Sequence, residues 1–154
     1  MTNSRKGFVV QAPALQKALA TAIATQLEAS GDATPVSVCY PAGGLTAEHI
    51  WISGKFDAEM PRCVSGGRQR DDEGYVEVRI SVVWSTSDGV VAEDRAVALS
   101  KFVENAVSVD PTLGGTVQEA HVAGVNGDEA MPDEHSRQYG LVLRIAYQTT
   151  AVLA

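Results

Sequence analysis

Two segments far apart in the chain alternate strictly between apolar and polar residues, and this pattern constrains the fold most. The apolar positions are Val76, Val78, Ile80 and Val82 in the first segment, and Leu141, Leu143, Ile145 and Tyr147 in the second. A period of two places apolar side chains on one face of a strand and polar ones on the other. Each segment is therefore predicted to be a strand with one buried face, which needs a second layer to cover it.

Two helices are predicted to form that layer. The first follows Ala12-Pro13 and ends at Ser30-Gly31, a typical helix end. Its apolar residues recur every fourth position, at Leu15, Leu19, Ile23 and Leu27. The second helix follows residues 87–89 and stops at Asp110-Pro111, because a residue before proline disfavours the helical conformation. Its apolar positions, at spacings of three and four, are Val91, Ala92, Leu99, Phe102, Val103, Ala106 and Val107.

The strands and their connections complete a predicted α+β fold. Strands are predicted at residues 35–40, 50–53, 76–82, 116–125 and 138–150. Residues 62–75 are predicted to form a mobile hairpin arm that turns at the acidic residues 71–74, and residues 124–137 an acidic loop. With one flank of the arm counted as a strand, a mixed or antiparallel sheet is packed by two helices. The element order is α-β-β-β-β-α-β-β, in a single domain over residues 1–154.

Charge and composition exclude several classes of function. Twelve Lys and Arg against nineteen Asp and Glu give a net charge of −7, which disfavours wrapping nucleic acid or docking on an anionic membrane. No apolar run has the length of a membrane span, and residues 1–8 do not resemble a signal peptide. We expect a soluble protein whose two cysteines, Cys39 and Cys63, are reduced and packed as small apolar side chains.

The sequence holds no recognisable catalytic pattern. It lacks a phosphate-binding loop, a nucleophile elbow and a C-x-x-C pair, so no catalytic residue, cofactor or metal is predicted. The acidic residues Asp128, Glu129, Asp133 and Glu134 do not have the spacing of an EF-hand and are interpreted as a solvated loop. A metal or enzymatic site assembled from His49, His121 and Cys63 stays open as an alternative.

Several motifs together resemble the tail terminator proteins of long-tailed bacteriophages. One is Arg95-Ala96 with Leu99, followed by residues 110–115, whose sequence is Asp-Pro-Thr-Leu-Gly-Gly. Others are Asp72-Glu73-Gly74-Tyr75 with Glu77, the strand with Ala120 and Val122, and the closing strand from Gly140 to Tyr147. The resemblance covers about residues 10–150 in element order, and its sequence-specific part lies mostly in residues 71–147.

This resemblance implies a structural protein without enzymatic activity. Its subunits would form a homohexameric ring that caps the tail tube, ends tube polymerisation and offers the surface for joining the head. The implied partners are further copies of the chain, the major tail tube protein and a head-tail connector or stopper protein. DNA would only pass through the channel. We expect the net charge of −7 on each subunit to prevent the DNA from binding to the channel wall. The implied location is the tail-neck junction of a virion assembled in the bacterial cytoplasm.

Two alternatives to the terminator remain open at this stage. One is another head-tail neck component, a stopper or an adaptor. The other is a small α+β domain that binds a ligand or a metal or acts as an enzyme.

Two segments are predicted to contact partners. The arm and the strand after it carry charges of both signs, which suits a contact at the rim of an interface that sets the relative orientation of two subunits. The predicted contact residues are Arg62, Arg68, Arg70, Asp71, Asp72, Glu73 and Arg79. The chain closes with apolar residues that include Val152 and Leu153. An apolar strand at a sheet edge invites aggregation unless it is covered, so this end is predicted to pack on its own sheet or on a neighbouring subunit.

Overall fold

In the part of the chain that the structure describes, five strands form a mixed sheet with two helices on one face. The computed structural model describes residues 12–44, 46–59, 69–86 and 88–152. The elements are α1 (Ala12–Ala29), β1 (Val36–Val38), β2 (Glu48–Glu59), β3 (Gln69–Ser85), α2 (Gly89–Val109), β4 (Glu119–Asp133) and β5 (Ser136–Val152). This arrangement confirms the α+β prediction; the described residues before α2 form three strands, where four were predicted.

The sheet has the strand order β1-β2-β3-β5-β4. β1 runs parallel to β2, and the other neighbours are antiparallel. β3 and β5 pair along their whole length, from Gln69 opposite Val152 to Ser85 opposite Ser136. This central ladder sets the positions of the side chains that the next subsection describes.

The core lies between the helices and one face of the sheet. The alternating apolar residues of β3 and β5 are buried there, as the sequence predicts. Opposite them lie Leu15, Leu19, Ile23 and Leu27 of α1, and Ala92, Ala96, Leu99 and Val103 of α2. Burying one such leucine or isoleucine contributes roughly 1.5–3 kcal/mol relative to exposure. Val91, predicted on the apolar face of α2, is instead 40% exposed.

Arg95 fastens α2 to the start of β2 and to the loop after α1. Its guanidinium donates to both carboxylate oxygens of Glu48, at 2.8 and 2.9 Å, and to Asp32 Oδ2 at 2.8 Å. The hydrogen bonds to Glu48 outweigh burial and raise the pKa of Arg95. Burial alone would raise the pKa of Asp32, but hydrogen bonds from Thr34 and Arg95 outweigh it and lower that pKa. These charge-assisted bonds join three elements in one polar cluster.

α2 ends in the tight connection that its motif predicts. The Asp110 carboxylate accepts backbone hydrogen bonds from Thr112 at 3.1 Å and Gly114 at 2.8 Å. Gly114 and Gly115 have positive φ angles of 72° and 80°, the conformation in which glycine is favoured. Leu113 is buried against the core at 2% exposure, so it closes the end of the helix.

Two segments predicted as a turn and a loop lie in strands, whereas residues 62–68 of the predicted arm lie outside the described residues. The acidic residues 71–74 do not form a turn: they lie inside β3, where each is paired with β5, as Asp72 is with Thr149. Residues 124–133 continue β4, and the reversal falls at Glu134 and His135. In both places cross-strand backbone hydrogen bonds outweigh the local turn preference of the acidic residues.

β2 and Cys39 also differ from the prediction. β2 does not end at Gly54 but continues to Glu59 through an irregular register between Ile52 and Phe56. Cys39 is a free, exposed thiol rather than a packed side chain, and its backbone has a positive φ of 65° at the end of β1. Cys63 lies outside the described residues.

Neither described helix is long and apolar enough to span a membrane.

Candidate interaction surfaces

The residues predicted to contact partners do not form one surface among the described residues. Arg62, Arg68 and Leu153 lie outside the described residues. Arg70 and Asp71 belong to β3, and Val152 ends β5, where it pairs with Gln69. Asp72 is buried on the helix side of the sheet, whereas Glu73 is exposed on the opposite face. Arg79 lies on that opposite face too, six residues further along β3, and forms an ion pair with Glu77 at 3.1 Å.

The face of the sheet opposite the helices holds a concavity of about 590 Å³ near one end. Its walls come from four strands: Asp57 of β2, Glu73 and Tyr75 of β3, Glu119 and His121 of β4, and Arg144 and Gln148 of β5. The guanidinium of Arg144 lies 4.1 Å from the centroid of the Tyr75 ring, a cation–π contact. The sequence does not show this pair, because it depends on the register between β3 and β5.

The lining of the concavity is mixed in charge, with three carboxylates, one guanidinium and one imidazole. Among the described residues, none of these side chains forms a nucleophile–base pair of the kind that covalent catalysis uses. Tyr147 borders the site but is only 3% exposed. Burial, and then the charge of Asp72, raises the pKa of its phenol.

The β4–β5 ribbon, residues 125–136, contains the turn that joins the two strands. Residues 125–135 are all exposed, including Val125 at 54% and Met131 at 62%. They carry four carboxylates and no lysine or arginine. In the described part of the chain, β4 has β5 on one side and no strand on the other. The ribbon therefore offers both exposed apolar side chains and a free strand edge.

The base of the ribbon is held against the start of α2. Tyr139 donates a hydrogen bond to Glu93 of α2. The pKa of the Tyr139 phenol is raised mainly by burial and secondly by the negative charge of Glu93. The carboxylate of Glu129 approaches Gly89, where an added β-carbon would lie 3.3 Å from Oε2. The ribbon is thus a supported extension of the sheet.

An aromatic corner lies at the other edge of the sheet. Tyr40, 62% exposed, meets Trp51 edge-on with ring centroids 5.7 Å apart, and His49 meets Trp51 at 6.3 Å. The histidine ring is buried beneath the loop between β1 and β2. Sequence reasoning singled out His49 only as a possible metal ligand and missed this packing.

The alternative metal site is not assembled by the residues that the structure describes. His49 lies on β2 and His121 on β4, with β3 and β5 between them. Cys63 is outside the described ranges. Within those ranges, no group of three or more His, Cys, Asp or Glu side chains is placed to hold a metal ion.

Comparison with known proteins gives remote structural likeness only. No protein-family model and no curated protein matches the chain. Among solved structures, a chain of the virion of the native gene transfer agent particle aligns with 88% of this chain and 98% of its own length. The two are 18% identical with a TM-score of 0.40, so we draw no inference from the likeness.

Proposed function

We propose that this chain is a structural protein of a phage-type particle, and more narrowly a tail terminator that caps the tail tube as a ring. The proposal starts from the sequence resemblance carried by Arg95-Ala96, residues 110–115 and the closing strand. It is supported by a structure in which those residues have structural roles: Arg95 fastens a helix, residues 110–115 reverse the chain, and the closing strand pairs along β3.

The observation that carries the proposal is the free edge of β4. Its fifteen residues extend over about 50 Å at 3.4 Å per residue. Proteins that stay monomeric protect long unpaired strand edges against pairing with other chains. Proteins that assemble use such edges to bind a strand of a partner. In β4 the features that hinder such pairing are the charged side chains, Pro132 and two register irregularities, at Val122/Gly124 and Ala130/Asp133. Such an edge resists random pairing but can accept a matched partner.

The charge pattern of β4 disfavours one two-fold pairing of this strand with a second copy. If two copies of β4 paired antiparallel about Asn126, Glu119 of each would face Asp133 of the other. Like charges directly opposite each other destabilise a strand pair. In the proposed ring the free edge contacts a different surface of the next subunit, and repetition of such a head-to-tail contact forms a ring when the rotation between subunits closes.

Further contacts of the ring follow from the same geometry. Glu73 and Arg79 lie on the open face of the sheet and are proposed to meet the tube protein or a neighbouring subunit. Val152, at the end of β5, is proposed to lie at a subunit boundary. Mixed charges at such a rim set orientation and suppress wrong partners more than they add affinity.

A tube-growth experiment tests the terminator function. The purified full-length chain is added to a polymerising major tail tube protein, and tube lengths are measured by negative-stain electron microscopy. We expect tubes to stop growing and to carry a ring at one end. Unchanged tube lengths without end density would contradict the terminator proposal. Rings that bind the head-tail connector but not the tube would identify the alternative, a stopper or adaptor.

A further inference from the structure

A groove of about 680 Å³ runs along the free edge of β4, on the side where α2 packs. One wall is formed by every residue of β4 in the range 119–125. The other wall comes from the end of α2 and the connection after it, through Glu104, Val107, Ser108 and Pro111. Successive residues of a strand point to opposite faces, so a groove that all of 119–125 line lies beside the strand and not above one face.

This part of the edge can accept another strand. In the described part of the chain, β5 pairs with one side of β4 and no strand pairs with the other. Such an edge presents backbone N–H and C=O groups that an added strand can bind. The register irregularity lies between Val122 and Gly124, so residues 119–122 form the regular stretch of this edge.

The side of the edge that faces the helices is apolar. Ala120 is buried, and Val122 is partly buried against the core. Val107 of α2, at the bottom of the groove, is buried too. Every second side chain of an added strand would lie beside these residues, so small or β-branched apolar residues fit there.

The opposite side of the same edge is acidic. Glu119 and His121 line both the groove and the concavity on the open face of the sheet. Glu104, on the α2 wall, is exposed like Glu119. Among the described residues that line the groove there is no Lys or Arg. Arg144 of the concavity extends from β5 to Tyr75 on β3, away from this edge. The remaining side chains of an added strand would therefore meet carboxylates, which favours Lys or Arg there.

We propose that the groove binds an extended segment of a partner protein in which Lys or Arg alternates with small or β-branched apolar residues. The segment adds to β4 as a further strand, with its cations on the Glu119 face and its apolar side chains beside Val122. In the described part of this chain, Val78-Arg79-Ile80 and Leu143-Arg144-Ile145 show such alternation, but both lie in strands that are paired on both sides. The partner segment therefore comes from a different protein. This inference does not depend on the proposed ring.

Binding of a synthetic peptide to the full-length chain tests the proposal. The probe is acetyl-Thr-Lys-Val-Arg-Val-Lys-Thr-amide, whose cations lie on one face of a strand and whose valines lie on the other. The control, acetyl-Thr-Lys-Lys-Val-Val-Arg-Thr-amide, has the same composition but carries both residue types on both faces. Calorimetry should show about tenfold tighter binding of the probe. Equal affinities would overturn the proposal, because the net charge alone would then attract the peptides.

Backbone methylation tests whether the probe binds as a strand. One derivative carries N-methyl groups on its Lys and Arg residues, and the other carries them on its two Val residues. Successive N–H groups of a strand point to opposite edges, so only one of the two sets faces β4. One derivative should lose binding and the other should keep it. Equal loss or equal retention would contradict strand addition.

Substitutions on the chain locate the site. Glu119→Gln should weaken binding of the probe about twofold to fivefold, the range expected for an exposed charge pair. The matched control is Glu28→Gln at an exposed position of α1, which should leave the affinity unchanged. Bound probe should also slow hydrogen exchange in residues 119–122. Unchanged affinity of Glu119→Gln, or unchanged exchange in those residues, would overturn the proposal.

Light scattering separates the proposed partner from a second copy of this chain. If a second copy occupied the groove, the probe would displace it and the mass of the oligomer would fall. That result would assign the groove to self-association and overturn the proposal. An unchanged mass with bound probe supports a groove that is open to a different protein.

Discussion

Tyr139 fills the space that a side chain at Gly127 would need. A β-carbon on Gly127 would lie 2.5 Å from the Tyr139 hydroxyl and 3.2 Å from its ring. Gly127 faces Leu141 across the ladder, and the phenol passes over it to reach Glu93 on α2. One absent side chain therefore lets the ribbon dock on the helix.

Gly127→Ala is expected to push Tyr139 away and weaken the attachment of the ribbon. Overpacking of this kind costs about 1–3 kcal/mol, and urea unfolding measures it. The control is Gly124→Ala on the same strand, where an added β-carbon meets no atom within 4 Å. Equal losses in the two variants would mean that the Tyr139 contact is not the cause.

Val125→Asp combined with Met131→Asp is expected to weaken the proposed ring assembly without unfolding the subunit. Both side chains are more than half exposed, and the added charges join an already acidic ribbon. We expect association to weaken by at least about tenfold, or 1.4 kcal/mol, as measured by light scattering. Val97→Asp replaces a valine on α2 that is 43% exposed and serves as the control. A double variant that assembles normally would remove the ribbon from the interface.

Arg95→Met is expected to destabilise the fold by about 2 kcal/mol, because it leaves the carboxylates of Asp32 and Glu48 without their charged donor. Arg79→Met breaks the Arg79–Glu77 pair, in which the Arg79 side chain is 41% exposed, and should cost less than about 1 kcal/mol. Chemical denaturation of both variants provides the comparison. Similar losses would show that the Arg95 cluster contributes no more than an ordinary surface pair.

Asp32→Asn is expected to lose stability at neutral pH and to approach the unmodified chain in acid. The folded-state pKa of Asp32 lies below its usual value of 3.8. A carboxyl of this kind stabilises the fold above its unfolded pKa, and the contribution disappears as the pH falls through the folded pKa. Urea unfolding at a series of pH values should show a gap that closes below pH 3.8. Asp94→Asn, at an exposed position of α2, controls for the lost charge. A gap independent of pH would contradict the expectation.

Local patterns in the sequence predicted the elements whose structure depends on neighbours a few residues away. The fourfold spacing of leucine and isoleucine predicted α1, and the alternation around Ile80 and Leu143 predicted the central strands. Residues 110–115 were recognised as a reversal because proline and paired glycines restrict the backbone locally. None of these predictions required knowledge of which strands are neighbours.

What the sequence determined by itself is the composition of the layers: two amphipathic helices and strands with one apolar face. The tertiary structure decided the rest, because backbone pairing and side-chain contacts join residues that are distant in the chain. β5 draws residues 71–74 into a strand despite their turn-forming composition. The same pairing places Arg144 over the ring of Tyr75, and the folded chain brings Thr46 into contact with the buried ring of His49. A sequence pattern shows which face a residue takes, but only the register of the folded sheet decides which residue lies opposite it.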